Sequence, residues 1–307
     1  MMQTPLVSAV IPVYNRLPLL REAIASVRAQ THEAWELIIV DDGSTDGTAE
    51  YLAALAAEDP RVRVLSMPHV GIVGRLYQQG ADAARGDYVA FLDSDDAWHP
   101  EKLALQLAAL AAYPAARWSG TTARTMDAAG TLLPYDRTLL RPTRSGWILE
   151  ALARHEAGTT LPSLLIEASL LREIGGVDEE CGVAADQDLI LRLAAAAECA
   201  GVDQPLLHVR LHGARTTATS REPTSVPMQR VFEKLARSTA SPAIRRICRR
   251  QQAFYAAHAA LGWLARGHRR KALAGLLQSL RYDARGAGIW KELSIILARR
   301  LGRAPAA

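Results

Sequence analysis

The chain has 307 residues, 49% hydrophobic and 22% charged, enough apolar material for a substantial core and too little charge for a disordered segment. Its net charge of +4 conceals an asymmetry: residues 230–307 hold 17 Lys/Arg against 3 Asp/Glu, leaving 19 against 29 in residues 1–229. No stretch of 18 or more apolar residues and no basic-then-apolar leader occurs, which argues against a spanning helix or secretory signal and predicts a soluble cytoplasmic protein.

The first hundred residues alternate strand and helix signals. Residues 7–13 are β-branched and apolar, as a buried strand requires, and Leu20, Ala23, Ile24 and Val27 follow at helical spacing behind Pro18. Residues 35–40, 62–65 and 88–92 read as further strands, with helices over 49–57 and 74–84 between them. Such alternation predicts parallel pairing in an α/β sheet with helices on its faces. Residues 117–165 are mixed, with a hairpin signal at Asp127-Ala128-Ala129-Gly130, a helix near 147–155 and an apolar run over 161–166. A helix over 168–174 ends at Gly175-Gly176, another spans 186–197, and 205–211 reads as a strand. After Pro223 and Pro227 the pattern is helical, over 253–264, 270–280 and 290–301. A boundary is expected near 225.

In sheets of this type ligands bind beyond the carboxyl ends of the strands. The polar clusters lie there: Tyr14-Asn15-Arg16, Asp41-Asp42-Gly43-Ser44 and Asp93-Ser94-Asp95-Asp96. Three carboxylates crowded at one strand end repel unless a cation or protons neutralise them, and hard oxygen ligands favour magnesium, manganese or calcium over zinc. The same four residues also suit a strand-end turn leading into a helix cap. Cys181, Cys199 and Cys248 have no metal-ligand spacing and are expected to be reduced. The chain has no dinucleotide fingerprint after the first strand, no P-loop lysine and no nucleic-acid motif, and its three Phe offer little base stacking.

Taken from Pro12-Val13-Tyr14-Asn15 through Asp41-Asp42-Gly43-Ser44 and Phe91-Leu92-Asp93-Ser94-Asp95-Asp96 to Ala185-Asp186-Gln187-Asp188, these blocks resemble the family 2 glycosyltransferases in order and interval. The likeness covers residues 6–215. It implies the nucleotide-sugar-binding GT-A fold, mostly parallel in its central sheet: a catalytic domain over 1–225, with a nucleotide-binding half at 1–116 and an acceptor half at 117–225. A basic helical region would follow over 226–307.

The same resemblance implies a metal-dependent, inverting transfer of a sugar from a nucleotide donor, UDP-linked by expectation, to a glycan or lipid-linked acceptor in cell-surface polysaccharide biosynthesis. Asp95 would be the main ligand of a Mn2+ or Mg2+ ion in a DXD-type motif, with Asp93 assisting directly or through ribose and water. Asp96 would contact the metal or cap the next helix. Asp186 would be the catalytic base, although Ala185 stands where the family usually has Glu. Asp42 would accept the imide N–H of the base, framed by Pro12 and Tyr14 with Asn15 alongside, while Asp41 would hold the following turn.

Arg75, displaced in register from the family's Arg-Asn pair, would reach nucleotide or diphosphate. His212 would serve the metal from a downstream loop, and Arg215 would clamp phosphate. The basic helices would meet anionic lipid at the inner face of the cell membrane. The alternatives are a non-catalytic nucleotide-sugar-binding or scaffold protein and a nucleotidyltransferase.

Overall fold

Seven consecutive buried residues, Val7–Val13, form β1 of a computed structural model that describes residues 4–134, 143–212 and 223–283. Burial on both faces is what a central parallel strand demands, and β2, Trp35–Asp41, is buried throughout as well. The remaining elements of this part follow in chain order. Helix α1 is Leu17–Arg28, α2 Thr48–Glu58, β3 Val62–Ser66, α3 Val73–Asp82, β4 Tyr88–Phe91, β5 Ala97–Trp98 and α4 Lys102–Ala112. Then come β6 Ala116–Met126, α5 Leu149–Ala153, β7 Leu164–Glu167, α6 Ala168–Glu173, α7 Ala185–Ala196 and β8 Glu198–Arg210.

The eight strands make one mixed sheet in the order β3-β2-β1-β4-β7-β6-β8-β5. Strands β1 to β4 pair in parallel, whereas β7 runs antiparallel to both β4 and β6. The order reverses beside β1, with β2 on one side and β4 on the other, which opens a crevice at their carboxyl ends. Register carries this further: Val10 pairs with Phe91 and Pro12 with Val40, so Asp93 emerges level with Pro12. Leu20, Ala23, Ile24 and Val27 of α1 are buried against the apolar core of the sheet.

Strand β6 differs from the sequence expectation, which left this stretch mixed. Its sequence, ARWSGTTARTM, has no alternating pattern, yet most of it is buried because β7 and β8 flank it on either side. Trp98 belongs to the core: it is 2% exposed, its Nε1–H donates to the Pro162 carbonyl, and the Lys102 ammonium lies 4.3 Å from its ring centroid. Burial pulls the Lys102 pKa well down, and its Nζ donates to Gln106 Oε1 and the Leu164 carbonyl.

Helix α3 approaches β1 so closely that a Cβ on Gly80 would stand 2.2 Å from Val10 Cγ1. Gly80→Ala is therefore expected to destabilise the fold by about 1–3 kcal/mol, read as a lowered denaturation midpoint at unchanged m value.

The chain divides into two compact units, Met1–Ala214 and Arg215–Ala307. The described part of the second holds α8 Ser225–Ser238, α9 Pro242–Ala265 and α10 Arg269–Tyr282. Ser241 caps α9 by accepting the Ile244 N–H, ahead of Pro242 in the first turn. Phe232 stacks on Tyr255 to join α8 to α9, and Ser279 donates to the Ala253 carbonyl to join α10 to α9. The helix expected over 290–301 lies outside the described residues. Among the described residues no helix is long and apolar enough to cross a membrane.

Candidate active site

The tight turn after β4 gives each carboxylate of the acidic cluster a different partner. Its backbone closes with Asp96 N–H donating to the Asp93 carbonyl at 3.2 Å. Asp95 Oδ2 receives the Arg16 guanidinium and the His212 Nε2, each at 2.8 Å. All three side chains are mostly buried, at 14%, 29% and 13% exposure, so the Arg16–Asp95 ion pair is little screened. His212 thus lies beside Asp95. Arg16, which the sequence reading left in a cluster without a role, is the second group on that oxygen. Its left-handed backbone, φ 68, turns the chain from β1 into α1.

Asp93 accepts a short hydrogen bond from the Tyr77 hydroxyl. Burial first, and then the Asp93 charge, push the Tyr77 pKa well above 10, so the phenol stays a donor. Tyr77 carried no signal in the sequence beyond an apolar position on α3; the register between α3 and β4 brings it in. Asp96 is 5% exposed and accepts the Arg210 N–H at 2.9 Å. The Arg210 side chain, 2% exposed, donates to the Asp95 and Ala128 carbonyls and pairs with Glu22. Asp96 and Arg210 thus tie the turn to the end of β8, a structural role that aims His212 two residues on.

Asp41 holds its turn by accepting the Ser44 N–H and hydroxyl. Asn15 bridges the first two strand ends: its N–H donates to the Ser44 hydroxyl and its Oδ1 accepts the Thr45 N–H. Pro12 is buried in β1 opposite Val40. Asp42, 1% exposed, accepts the Val70 and Gly71 N–H groups on its two oxygens, with His69 Nδ1 2.9 Å from Oδ2. His69 in turn stacks on Tyr14 with ring centroids 3.9 Å apart. Of the two oxygens, Oδ1 keeps a lone pair for a further donor, while Oδ2 already has the Gly71 N–H and His69 Nδ1 against it.

Arg75 is committed to Glu179, through Nε at 2.6 Å and a second contact at 3.2 Å, which straps α3 to the 179–184 segment rather than to the acidic turn. The expectation that it reaches the nucleotide or diphosphate is not tested by this pairing, which uses two of the guanidinium's N–H groups. Arg215 lies outside the described residues.

Asp186 stands in the first turn of α7, where the helix N-terminus favours negative charge. The cap position itself is Ala184, so Asp186 is not the N-cap. Burial raises its pKa above the ordinary carboxylate value of 3.8, opposed by hydrogen bonds from the Gln187 backbone and side chain. A carboxyl raised in this way is better matched to taking a proton near neutral pH.

The Asp95–His212 pair suits a hard divalent cation. Two donors sharing one octahedral edge at bond lengths of about 2.1 Å stand about 3 Å apart, close to the 2.8 Å between Asp95 Oδ2 and His212 Nε2. A second set, Asp178, Cys181 and Asp188, brings ligand atoms within 4.8 Å of one another. There Asp188 pairs with Arg192 at 2.7 Å, as Asp95 pairs with Arg16 at 2.8 Å, so an arginine on one ligand does not separate the two sets.

Residues 8–150 match the family described as Glycosyl transferase family 2. Over 211 residues the chain is 33% identical to the O-antigen biosynthesis protein RfbC of Myxococcus xanthus, in an alignment covering 67% of this chain and 16% of that protein. The chain spans less than half the length of the curated relatives it matches.

Its fold is similar to that of S. aureus TarS 1-349 in complex with UDP-GlcNAc, with a TM-score of 0.70, 16% identity, and coverage of 98% of this chain and 93% of that one. It is also similar to the mannosyltransferase PcManGT from Pyrobaculum calidifontis in complex with GDP-Man and Mn2+, with a TM-score of 0.64, 19% identity, and coverage of 98% and 81%.

Proposed function

Residues 8–150 place this chain in glycosyl transferase family 2, with a GT-A type fold, and from that premise we propose a metal-dependent, inverting glycosyltransferase. It moves a sugar from a nucleoside-diphosphate donor to a glycan or lipid-linked acceptor in surface polysaccharide synthesis. The observation that carries this reading is the meeting of His212 and Arg16 on one oxygen of Asp95, at the sheet's switch point. Support for the polysaccharide context comes from RfbC, named for O-antigen biosynthesis.

Asp95 and His212 would hold a divalent ion, with Asp93, oriented by Tyr77, assisting, and the chemistry such a Mn2+ or Mg2+ would supply is charge neutralisation on the departing diphosphate. Arg16 fixes the orientation of Asp95. Tyr14 offers a stacking face to the donor base, and Asp42, anchoring residues 69–71, reads the base edge, which favours UDP. Asp186 accepts the acceptor hydroxyl's proton as the new bond forms on the face opposite the diphosphate, so one displacement inverts the anomeric centre.

A panel of UDP- and GDP-sugars with manganese tests the reading: slow release of free nucleoside diphosphate that stops on chelation is expected. Release of pyrophosphate would instead mean nucleotidyl transfer, and tight nucleotide binding without turnover of any donor would mean a scaffold. Activity is also expected to fall in acid as Asp186 becomes protonated. Because its pKa is raised, the acid limb of the kcat profile should lie above the position an ordinary carboxylate near 3.8 would give.

The second unit supports peripheral attachment to an anionic membrane at the cytoplasmic face. Helix α10 exposes Leu273, Leu277 and Leu280 and begins with Arg269, Arg270 and Lys271. A basic, apolar-faced helix suits lipid headgroups. Flotation with phosphatidylglycerol vesicles but not phosphatidylcholine vesicles is the expected result, and equal recovery with both would remove the idea.

A further inference from the structure

Tyr14 and Asp42, the two side chains read as contacts of the donor base, are both engaged by His69 of the same chain. Val13 pairs with Asp41 across β1 and β2, so Tyr14 and Asp42 leave the carboxyl edge of the sheet side by side. The link between β3 and α3, residues 67–72, is neither helix nor strand and passes over this pair. It comes so close because Gly43, at φ 73°, has no side chain: a Cβ there would stand 2.9 Å from the His69 backbone nitrogen. The Val70 and Gly71 N–H groups then anchor the link on Asp42.

His69 makes the contacts that a nucleobase would need. Its ring lies on Tyr14 with centroids 3.9 Å apart and planes inclined by 22°, which leaves no space for a third ring between them. Its Nδ1 stands 2.9 Å from Asp42 Oδ2 and 3.1 Å from the Asp42 carbonyl. A carbonyl only accepts, so Nδ1 carries the proton and donates. A planar nitrogen ring with one face on Tyr14 and one N–H on Asp42 repeats what a base with an imide N–H would offer. Asp42 is 1% exposed, so a base meets Oδ2 only after His69 has left it.

Departure is open to the ring. The His69 side chain is 48% exposed and can rotate into solvent without opening the core, while the Val70 and Gly71 anchors stay in place.

Resting on the reading of this edge as a nucleotide site, we propose that His69 is a built-in stand-in for the base, an autoinhibitory plug that swings off Tyr14 and Asp42 before a nucleotide enters. The nucleotide then competes with the chain's own ring, and its apparent Kd is the intrinsic Kd divided by the fraction of molecules whose site is open. A plug closed nine times in ten weakens binding about tenfold.

UDP and GDP are titrated calorimetrically, with manganese, into the full chain and into His69→Ala. The nucleotide that binds should bind His69→Ala at least threefold more tightly. A residue that props the link or cradles the base would give weaker binding, so an equal or higher Kd in the variant would overturn the plug with sugar transfer intact. The unaltered protein supplies a second readout by NMR with isotope-labelled histidine, the His69 signal being assigned by its loss in His69→Gln. That signal should lie upfield in the ring current of Tyr14 and move downfield as the nucleotide saturates. No movement, or movement further upfield, would overturn the plug as well. Failure of both nucleotides to bind either protein would overturn the transfer reading and this inference with it.

Discussion

Asp186→Asn is expected to lower sugar transfer by about 10²–10⁴-fold, the range that a positioned general base contributes, with donor affinity nearly unchanged. Asn keeps the volume of Asp and an oxygen that accepts the Gln187 N–H, now made at 2.7 Å, so the first turn of α7 should persist. What disappears is the ability to take a proton. The loss should therefore appear in kcat, with the nucleotide Kd from calorimetry as the control. Turnover within a few-fold of the unaltered protein would remove Asp186 from the mechanism. A parallel loss of donor binding would show that the residue shapes the site rather than acting as the base.

Asp95→Ala is expected to be comparably severe, for a different reason. It deletes the oxygen on which Arg16 and His212 converge, and with it the hard ligand that a divalent ion needs beside an imidazole. Loss of about 4 kcal/mol of charge stabilisation on the departing diphosphate corresponds to about 10³-fold in rate. The signature is a changed manganese dependence, with half-saturation moved to much higher metal. It also removes the ion pair between Arg16 and Asp95, so a modest fall in stability should accompany the loss. Unchanged activation by manganese would place the metal elsewhere, and the Asp178–Cys181–Asp188 group would become the next candidate to test.

The local elements of the first hundred residues could be read from the chain because each reports on its own neighbourhood. Runs such as Val7–Val13 and Trp35–Asp41 are apolar throughout, since a strand flanked on both faces leaves no polar side, and both appear as expected. The Gly175-Gly176 ending was equally local: both glycines take positive φ, 82° and 67°, as a left-handed helix end requires. Strand β6 was not legible, because its burial comes from strands distant in sequence rather than from its own pattern.

The same division runs through the site. Residue types and their places at strand ends or in the first turn of a helix were written in the chain, so Asp93, Asp95, Asp186 and His212 could be put forward as candidates from sequence. Their partners could not. Arg16 meets Asp95 across 79 residues and His212 meets it across 117, while Arg75, expected at the nucleotide, pairs with Glu179 across 104. Sequence by itself determined which strands end in carboxylates, because helix and strand periods are short-range properties of the backbone. Only the tertiary structure decided which cation reaches which carboxylate, because sheet order and register place side chains that no local pattern relates.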